Sequence, residues 1–489
     1  MAEIDDLYLA EDGLGLAAAL GGGRVSAAEL LQAALARAAA MNSSLGALCY
    51  IDEIGARAAL ARLDPAAPFA GVPFLMKDLG APVAGLPTIA GARYFARHAV
   101  PATTDSDLAA RLRRAGVVIF GKTTVPEMGL NLASEPVIGP IARNPWNVHR
   151  GAGGSSGGAA AAVAAGIVPL AHATDAGGSI RVPAAACGIV GLKPSRGLSP
   201  QGPDFDNLLM GLVSELVVSR TVRDSAAMLD ACAGTPRGPY AAPTLLSTGT
   251  ALAALDQPLS PLRIGVVEAG PTSSPITEER SAAVAAGARL LEAAGHMIER
   301  LLPTELEPLL FVAQQFFEQV ICAGLANLAE ELNPPPARDD FEPMTWAAIE
   351  RGRRLTAASL VAATRDAARV SYALAQCFER FDAIMTPMLS GAPPLVGALP
   401  TDSDDLDRHF ARMSALSPYA VLANAAGLPA ISVPHGLDTA GLPLAIQIVG
   451  PIGSDILLLQ LARFFERSAP WSFPFHRFPK RVPGPKSNI

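Results

Sequence analysis

GAGGSSGGAAAAVAAGIVPLAHATDAGGSIRVP, residues 151–183, decides how this chain is read. Ser155 and Ser179 stand among glycines at either end of an alanine-rich run. Glycine has no Cβ, so its backbone can turn sharply and let a ligand come close. Alanine is the strongest helix former, so Ala159–Ala165 predicts a helix. The segment is read as a tight loop holding Ser155, that helix, a short strand over Ile167–Ala171, and a second glycine loop holding Ser179. In the second loop Ala176, Gly177, Gly178 and Ser179 would offer successive backbone N–H groups to one point, as an oxyanion requires. Two purely structural glycine turns are the competing reading of the same residues.

Outward from this segment the pattern alternates. Ser26-x-x-Glu29 is a capping box that opens a helix from Ala27 to about Met41, and a second helical pattern covers Ile51–Leu63. Val72–Met76 is wholly apolar and predicts a buried strand ending in Lys77 and Asp78. Asp105 is expected to cap a helix through Arg114, with Gly116 stopping it and Val117–Phe120 forming a strand. Downstream, Gly188–Leu192 reads as extended, Val222–Ala233 as helical, and Thr235–Pro261 as a surface connection rich in Pro, Ser and Thr. Arg263–Val267, a helix capped by Thr277, and His296–Leu301 form a β-α-β unit. Long helices are predicted over Leu309–Leu332 and Met344–Phe381, then a strand over Ala383–Thr386. A helix over Pro418–Ala425, strands over Ala430–Val433 and Leu444–Gly450, and a helix over Asp455–Arg467 close the pattern. This alternation predicts an α/β fold, with a mixed, mostly parallel, twisted central sheet covered by helices on both faces.

Composition narrows the function. Half of the 489 residues are hydrophobic and 17% are charged, enough for a large core. A net charge of -7 without any basic run excludes a nucleic-acid partner. Five cysteines without a C-x-x-C pattern predict reduced thiols in a cytoplasmic protein and no zinc or other metal site. The acidic start, MAEIDDLYLAEDG, is unlike a secretory leader. Gly151–Leu170 is uncharged for long enough to span a bilayer, but its Gly and Ala content and Pro169 predict a buried soluble helix and no membrane partner.

Three motifs compete for the chemistry. Gly116-Val-Val-Ile-Phe-Gly121-Lys122-Thr123 matches the phosphate-loop pattern. Its middle residues are apolar and mostly β-branched, however, so they belong in a strand and cannot curl around phosphate. Gly153-Gly-Ser155-Ser-Gly157 matches a nucleophile elbow. That elbow needs a preceding strand, for which Arg143–Arg150 is too polar, and a histidine, for which His435 is the best candidate. The third constellation is Ser155, Ser179 and a lysine. Lys77 follows an apolar run, and burial could lower its pKa enough to make it a base. A lysine paired with Asp78 at the surface is the equally open alternative.

Beside these readings, several motifs resemble the amidase signature family: VPFLMKD at 72–78, GKTTVPEMG at 121–129, RNPWN at 143–147, GGSSGG at 153–158, TDAGGSIRVPAA at 174–185, CGIVGLKPSRG at 187–197, and NAAGLPAISVPHG with GLPLAIQIVG near the C-terminus. The likeness runs from about residue 5 to 470. Within the family, the KDL, EMG, RNPWN and SPQGPDFDN segments look most like the hydrolases of 6-aminohexanoate cyclic dimers.

The resemblance implies a Ser–cis-Ser–Lys triad with Ser179 as nucleophile, Ser155 as bridging serine and Lys77 as base. It implies an oxyanion site at the amides of Ala176, Gly177, Gly178 and Ser179, and a pocket-lining backbone at Gly129. Ser156, Asp175 and Arg181 would brace the loops, with a substrate carboxylate as the other partner open to Arg181. It also implies no cofactor, a small-molecule amide substrate, and a homodimer as an admissible assembly. The apolar segment Leu309–Leu328, including Cys322, is a candidate pocket wall, and a core helix is the alternative there. One domain over residues 1–489 is expected, with a signature core at about 65–235, a helical substrate-lining region at about 236–415, and C-terminal elements at about 416–470. Amide hydrolysis is the reaction implied. A carbamate or ester hydrolase, or the amidotransferase subunit of a tRNA-charging complex, would share the triad. Ala159, where the family commonly has serine, and Ala171-His172, where glycine is common, depart from the pattern.

Overall fold

In the computed structural model, which describes residues 2–202, 209–233 and 249–478, one large sheet organises the chain. The strands are β1 Leu48–Ile51, β2 Pro73–Lys77, β3 Val118–Thr123, β4 Arg143–Asn144, β5 Asn147–Gly151, β6 Leu170–Asp175 and β7 Val190–Lys193. They continue with β8 Ser214–Ser219, β9 Arg263–Val266, β10 Met297–Arg300, β11 Ala383–Pro387, β12 Ala430–Leu437 and β13 Pro443–Val449. Eleven of them form the main sheet in the order β1-β3-β2-β6-β8-β7-β12-β13-β11-β9-β10, and β4 pairs with β5 in a separate ribbon. Parallel pairs lie on the flanks, β3-β2-β6 on one side and β11-β9-β10 on the other. The pairs between them, from β6 to β11, are antiparallel, so the expected mixed sheet has its parallel character confined to the flanks.

Every residue of β2, β3, β6, β7 and β8 is buried. Successive strand side chains point to opposite faces, so total burial requires cover on both. The alanine-rich run supplies one such cover. It forms the helix Gly157–Ala164, all eight residues of which are buried. Small side chains allow this close seat: a Cβ on Gly158 would stand 2.4 Å from the Thr124 nitrogen. Elsewhere in the fold, the helix Pro303–Glu331 packs against the helices Pro343–Arg353 and Ala357–Arg380. By length and composition alone that first helix could cross a membrane, yet its Leu306, Leu310, Ala313, Phe316 and Val320 are buried against the protein.

Several boundaries differ from expectation for local reasons. The strand expected at Ile167–Ala171 begins at Leu170, because Gly166 turns at φ +76 and Pro169 lacks an N–H. Ile51, expected to begin a helix, instead ends β1 and pairs with β3, and Asp52 caps a shorter helix, Glu53–Ala59. Ser106, not Asp105, caps Asp107–Arg114, while Asp105 pairs with Arg113. Thr356 opens a new helix and so divides the single one expected over Met344–Phe381. The helix Leu406–Leu416 was not anticipated. Most of the proposed surface connection after Thr235 lies outside the described residues, and its described end contains the short helix Thr250–Ala254.

Candidate active site

Lys77 ends β2 and is 1% exposed. Its Nζ donates to Ser155 Oγ and to Thr174 Oγ1, each at 2.7 Å. Burial strips solvation from the ammonium and lowers its pKa to about 7, against the opposing pull of Glu215 and Asp175. Asp78, the alternative partner, is engaged elsewhere: it lies 3.4 Å from Lys122 Nζ and accepts from the N–H groups of Ile89 and Ala90. Lys77 is therefore a buried amine facing a serine, not half of a surface ion pair.

The Ser155 loop is held from both sides. The Gly154–Ser155 peptide is cis. Ser134 Oγ donates to the Ser155 carbonyl at 3.0 Å and accepts from the Gly157 N–H at 2.9 Å. Ser156 Oγ donates to the Thr174 carbonyl at 3.2 Å and accepts from the Thr174 N–H at 3.3 Å, tying this loop to β6. The short strand β5 Asn147–Gly151 precedes Ser155, in a stretch judged too polar to be extended. It belongs to the two-stranded ribbon, however, and not to the central sheet an elbow requires. His435 sits in β12 with its ring edge-on to Phe465 and does not line the cleft. The lysine of the phosphate-loop pattern is inside β3, hydrogen-bonded to Thr88 Oγ1 at 2.6 Å.

Asp175 and Arg181 shape the turn that carries Ser179. Arg181 donates to the two Asp175 carboxylate oxygens at 2.9 and 3.0 Å, and reaches Asn424 Oδ1 at 2.7 Å and Gln447 Oε1 at 2.5 Å. Burial alone would raise the Asp175 pKa. The Arg181 charge and hydrogen bonds outweigh it and hold the carboxyl well below the usual carboxylate range. With its guanidinium fully buried in this network, Arg181 is not presented to a substrate carboxylate. The network also corrects the oxyanion reading. The Gly178 N–H donates to Asp175 Oδ1 at 2.6 Å, so it is unavailable, whereas those of Ala176, Gly177 and Ser179 have no partner among the described residues. Gly178 adopts φ +121, where a Cβ would also meet Ala420 at 2.9 Å.

Ser155, Thr174, Ala176, Gly177 and Ser179 open onto one cleft of about 760 Å³, part of it open to solvent. Gly129 lines it as expected; its φ is +71, and a Cβ there would lie 3.4 Å from Ser155 Oγ. No described lining residue is charged, and Leu79, Leu132, Phe317, Ile321, Met413 and Val421 make much of the wall apolar. Cys322 does not line it. Gln314, Phe317 and Ile321 share the face turned to the cleft, and the next residue lies about 100° further round the helix. Cys322 is buried where Gly352 packs against its backbone, and burial pushes its thiol up to about 12. Sequence reasoning missed Ser134, Thr174, Asn424 and Gln447. Thr174 stood within the glycine-loop motif and could have been found there; Asn424 and Gln447 stood within the two C-terminal motifs, but nothing local marked them as partners of Arg181.

A buried amine hydrogen-bonded to a serine, beside a glycine turn with unspent N–H groups and a largely apolar cleft wall, is suited to nucleophilic acyl transfer. The chain belongs to the amidase family: the family model described as Amidase matches residues 29–459. It is 34% identical over 486 residues to a 6-aminohexanoate-cyclic-dimer hydrolase of Pseudomonas sp. (strain NK87), covering 96% of this chain and 97% of that one. A solved structure of 6-aminohexanoate cyclic dimer hydrolase complexed with substrate superposes with a TM-score of 0.89 at 32% identity, covering 95% of this chain and 98% of the other. A bacterial aryl acylamidase of the amidase signature family superposes with a TM-score of 0.84 at 25% identity, covering 96% and 98%.

Proposed function

We propose that this chain is a serine amidohydrolase acting on neutral amides, cyclic or linear, of the aminohexanoate-oligomer kind or of a related aliphatic or aryl type. Lys77 is the base, Ser155 the relay and Ser179 the nucleophile. Neutral Lys77 accepts the Ser155 proton as Ser155 accepts that of Ser179, and Ser179 Oγ bonds to the amide carbon. The N–H groups of Ala176, Gly177 and Ser179 hold the developing oxyanion. Collapse breaks the C–N bond, Ser155 passes the proton to the leaving nitrogen, and water then cleaves the acyl ester by the reverse relay.

The observation that carries this reading is the 2.7 Å hydrogen bond from buried Lys77 Nζ to Ser155 Oγ. A lysine in water would be protonated at neutral pH and useless as a base; here burial brings its pKa to about 7. No described residue of the cleft wall carries a charge, which supports a neutral substrate, since a charged one would be desolvated without a partner. The names of the two solved relatives, a cyclic-dimer hydrolase and an aryl acylamidase, point the same way. Mass spectrometry after a fluorophosphonate probe tests the assignment: a single adduct on Ser179 is expected, and an adduct on Ser155 would overturn it. A panel of matched amides, carbamates and esters then reads the preferred bond.

A further inference from the structure

Glu215 of β8 lies directly opposite Thr174 of β6 in the antiparallel register, so the two side chains leave the sheet on one face. A Cβ on Gly80 would stand 2.0 Å from Glu215 Oε1 and 2.8 Å from Thr174 Cγ2, which shows how closely the carboxyl approaches the threonine that holds Lys77. His172, two residues before Thr174, shares that face. Its Nδ1 accepts the Lys77 backbone N–H at 3.3 Å, so its proton sits on Nε2, 3.9 Å from Glu215 Oε1. Glu215 and His172 are both 0% exposed. Glu215 Oε1 accepts from the Ala81 N–H at 3.2 Å, while Glu215 Oε2 and His172 Nε2 have no hydrogen-bond partner among the described residues. A buried carboxyl with an orphan oxygen is costly unless a nearby charge compensates it.

We propose that Glu215 is a positioning residue for the amine of Lys77: the field of its carboxylate sets how much of Lys77 is neutral and able to accept a proton. This rests on the reading of Lys77 as the base. The other ionisable groups near Lys77 are already matched. Asp175 on β6 is paired with Arg181, and Asp78, the next residue on the chain, with Lys122 on β3. His172 is neutral, its pKa lowered to about 3 by burial and by the charges of Lys77 and Lys122. Glu215 has no cation of its own among the described residues. Burial raises its pKa to about 8, with Lys77 pulling the other way. Near neutral pH the two groups therefore change charge in the same range, and each biases the other.

The test is the pH dependence of kcat/KM for the parent and for Glu215→Gln, which keeps the acceptor for Ala81 but carries no charge. Losing the carboxyl leaves Lys77 to titrate alone, so the acid limb is expected to move down and to fit a single ionisation in place of two coupled ones. A folded Glu215→Gln enzyme whose acid limb coincides with the parent's overturns the proposal. If that variant does not fold, the carbon-13 carboxyl titration of Glu215 is compared in the parent and in Lys77→Met. The Glu215 midpoint is expected to rise when the amine is removed, and an unmoved midpoint overturns the proposal equally. Lys77→Met that hydrolyses amides at the parent's rate would instead sink the reading of Lys77 as base, and this inference with it.

Discussion

Lys122 Nζ stands 3.4 Å from a carboxylate oxygen of Asp78, and this pairing is what frees Lys77. Neighbouring residues of an extended chain point to opposite sides, so Asp78 turns to β3 while Lys77 turns to Ser155 and Thr174. Each lysine has its own set of partners. Removing Lys122 would leave Asp78 buried without a cation and deprive the Lys77 strand of its neighbour's anchor.

Catalysis should follow the titration of Lys77. The neutral amine is the active form, so kcat/KM is expected to rise with pH along an acid limb centred near the Lys77 pKa of about 7. Lys77→Ala should lower the plateau by about 10²–10⁴-fold, the usual contribution of a positioned base. Steady-state kinetics between pH 5 and 9 measure both, and an unaltered rate in Lys77→Ala would contradict the proposed relay.

Lys77 should also cost stability. The unfolded chain keeps this proton up to the ordinary lysine value of 10.5, and the folded chain releases it near 7. The unfolded state therefore binds more protons throughout that window. Stability contributed at this site rises with pH between about 7 and 10.5 and is lowest below it. Lys77→Met removes the penalty, so at pH 7 it is expected to melt no lower than the parent although it is inactive. Calorimetry at pH 7 and pH 9 checks both the order and the narrowing of the gap.

The Asp175–Arg181 pair should behave in the opposite sense. Asp175 has its carboxyl held below the usual range, so its stabilisation is present above the unfolded carboxylate value near 4 and is lost as pH falls below it. Asp175→Asn strands a fully buried guanidinium and is expected to destabilise by about 3–5 kcal/mol. Denaturant titration reads that loss. Arg181→Lys should also destabilise, because an ammonium cannot reproduce the two-pronged contact with Asp175 and the reach to Asn424 and Gln447.

Phe317 and Cys322 should separate selectivity from stability. Phe317 lines the cleft, with its ring 2.7 Å from where a Cβ on Gly177 would sit. Phe317→Ala is expected to change KM unevenly across amides of different size. Cys322 is buried away from the cleft, so Cys322→Ala should leave the rank order of substrates unchanged and lower only the melting temperature. A shift in that order for Cys322→Ala would return the residue to the pocket wall.

Some of this was legible because it is local. The capping box Ser26–Glu29 is present with both hydrogen bonds, because a cap depends on residues within one turn. The apolar run before Lys77 is a fully buried strand for a similarly local reason. Where the reading failed, a neighbour in space had the deciding vote. Ile51 is extended because β3 offers it a ladder, and Gly178 leaves the oxyanion set because Asp175 takes its N–H.

Glycine and alanine spacing over residues 151–183, and the apolar stretch ending at Lys77, were enough to specify two loops, a buried helix and a lysine close to a core. Their joint meaning was decided by packing. Only the folded sheet brings β2 beside β6, β6 beside β8, and Asn424 and Gln447 under Arg181. A pKa set by burial depends on everything within a few ångströms, and most of those atoms come from residues far away in the chain.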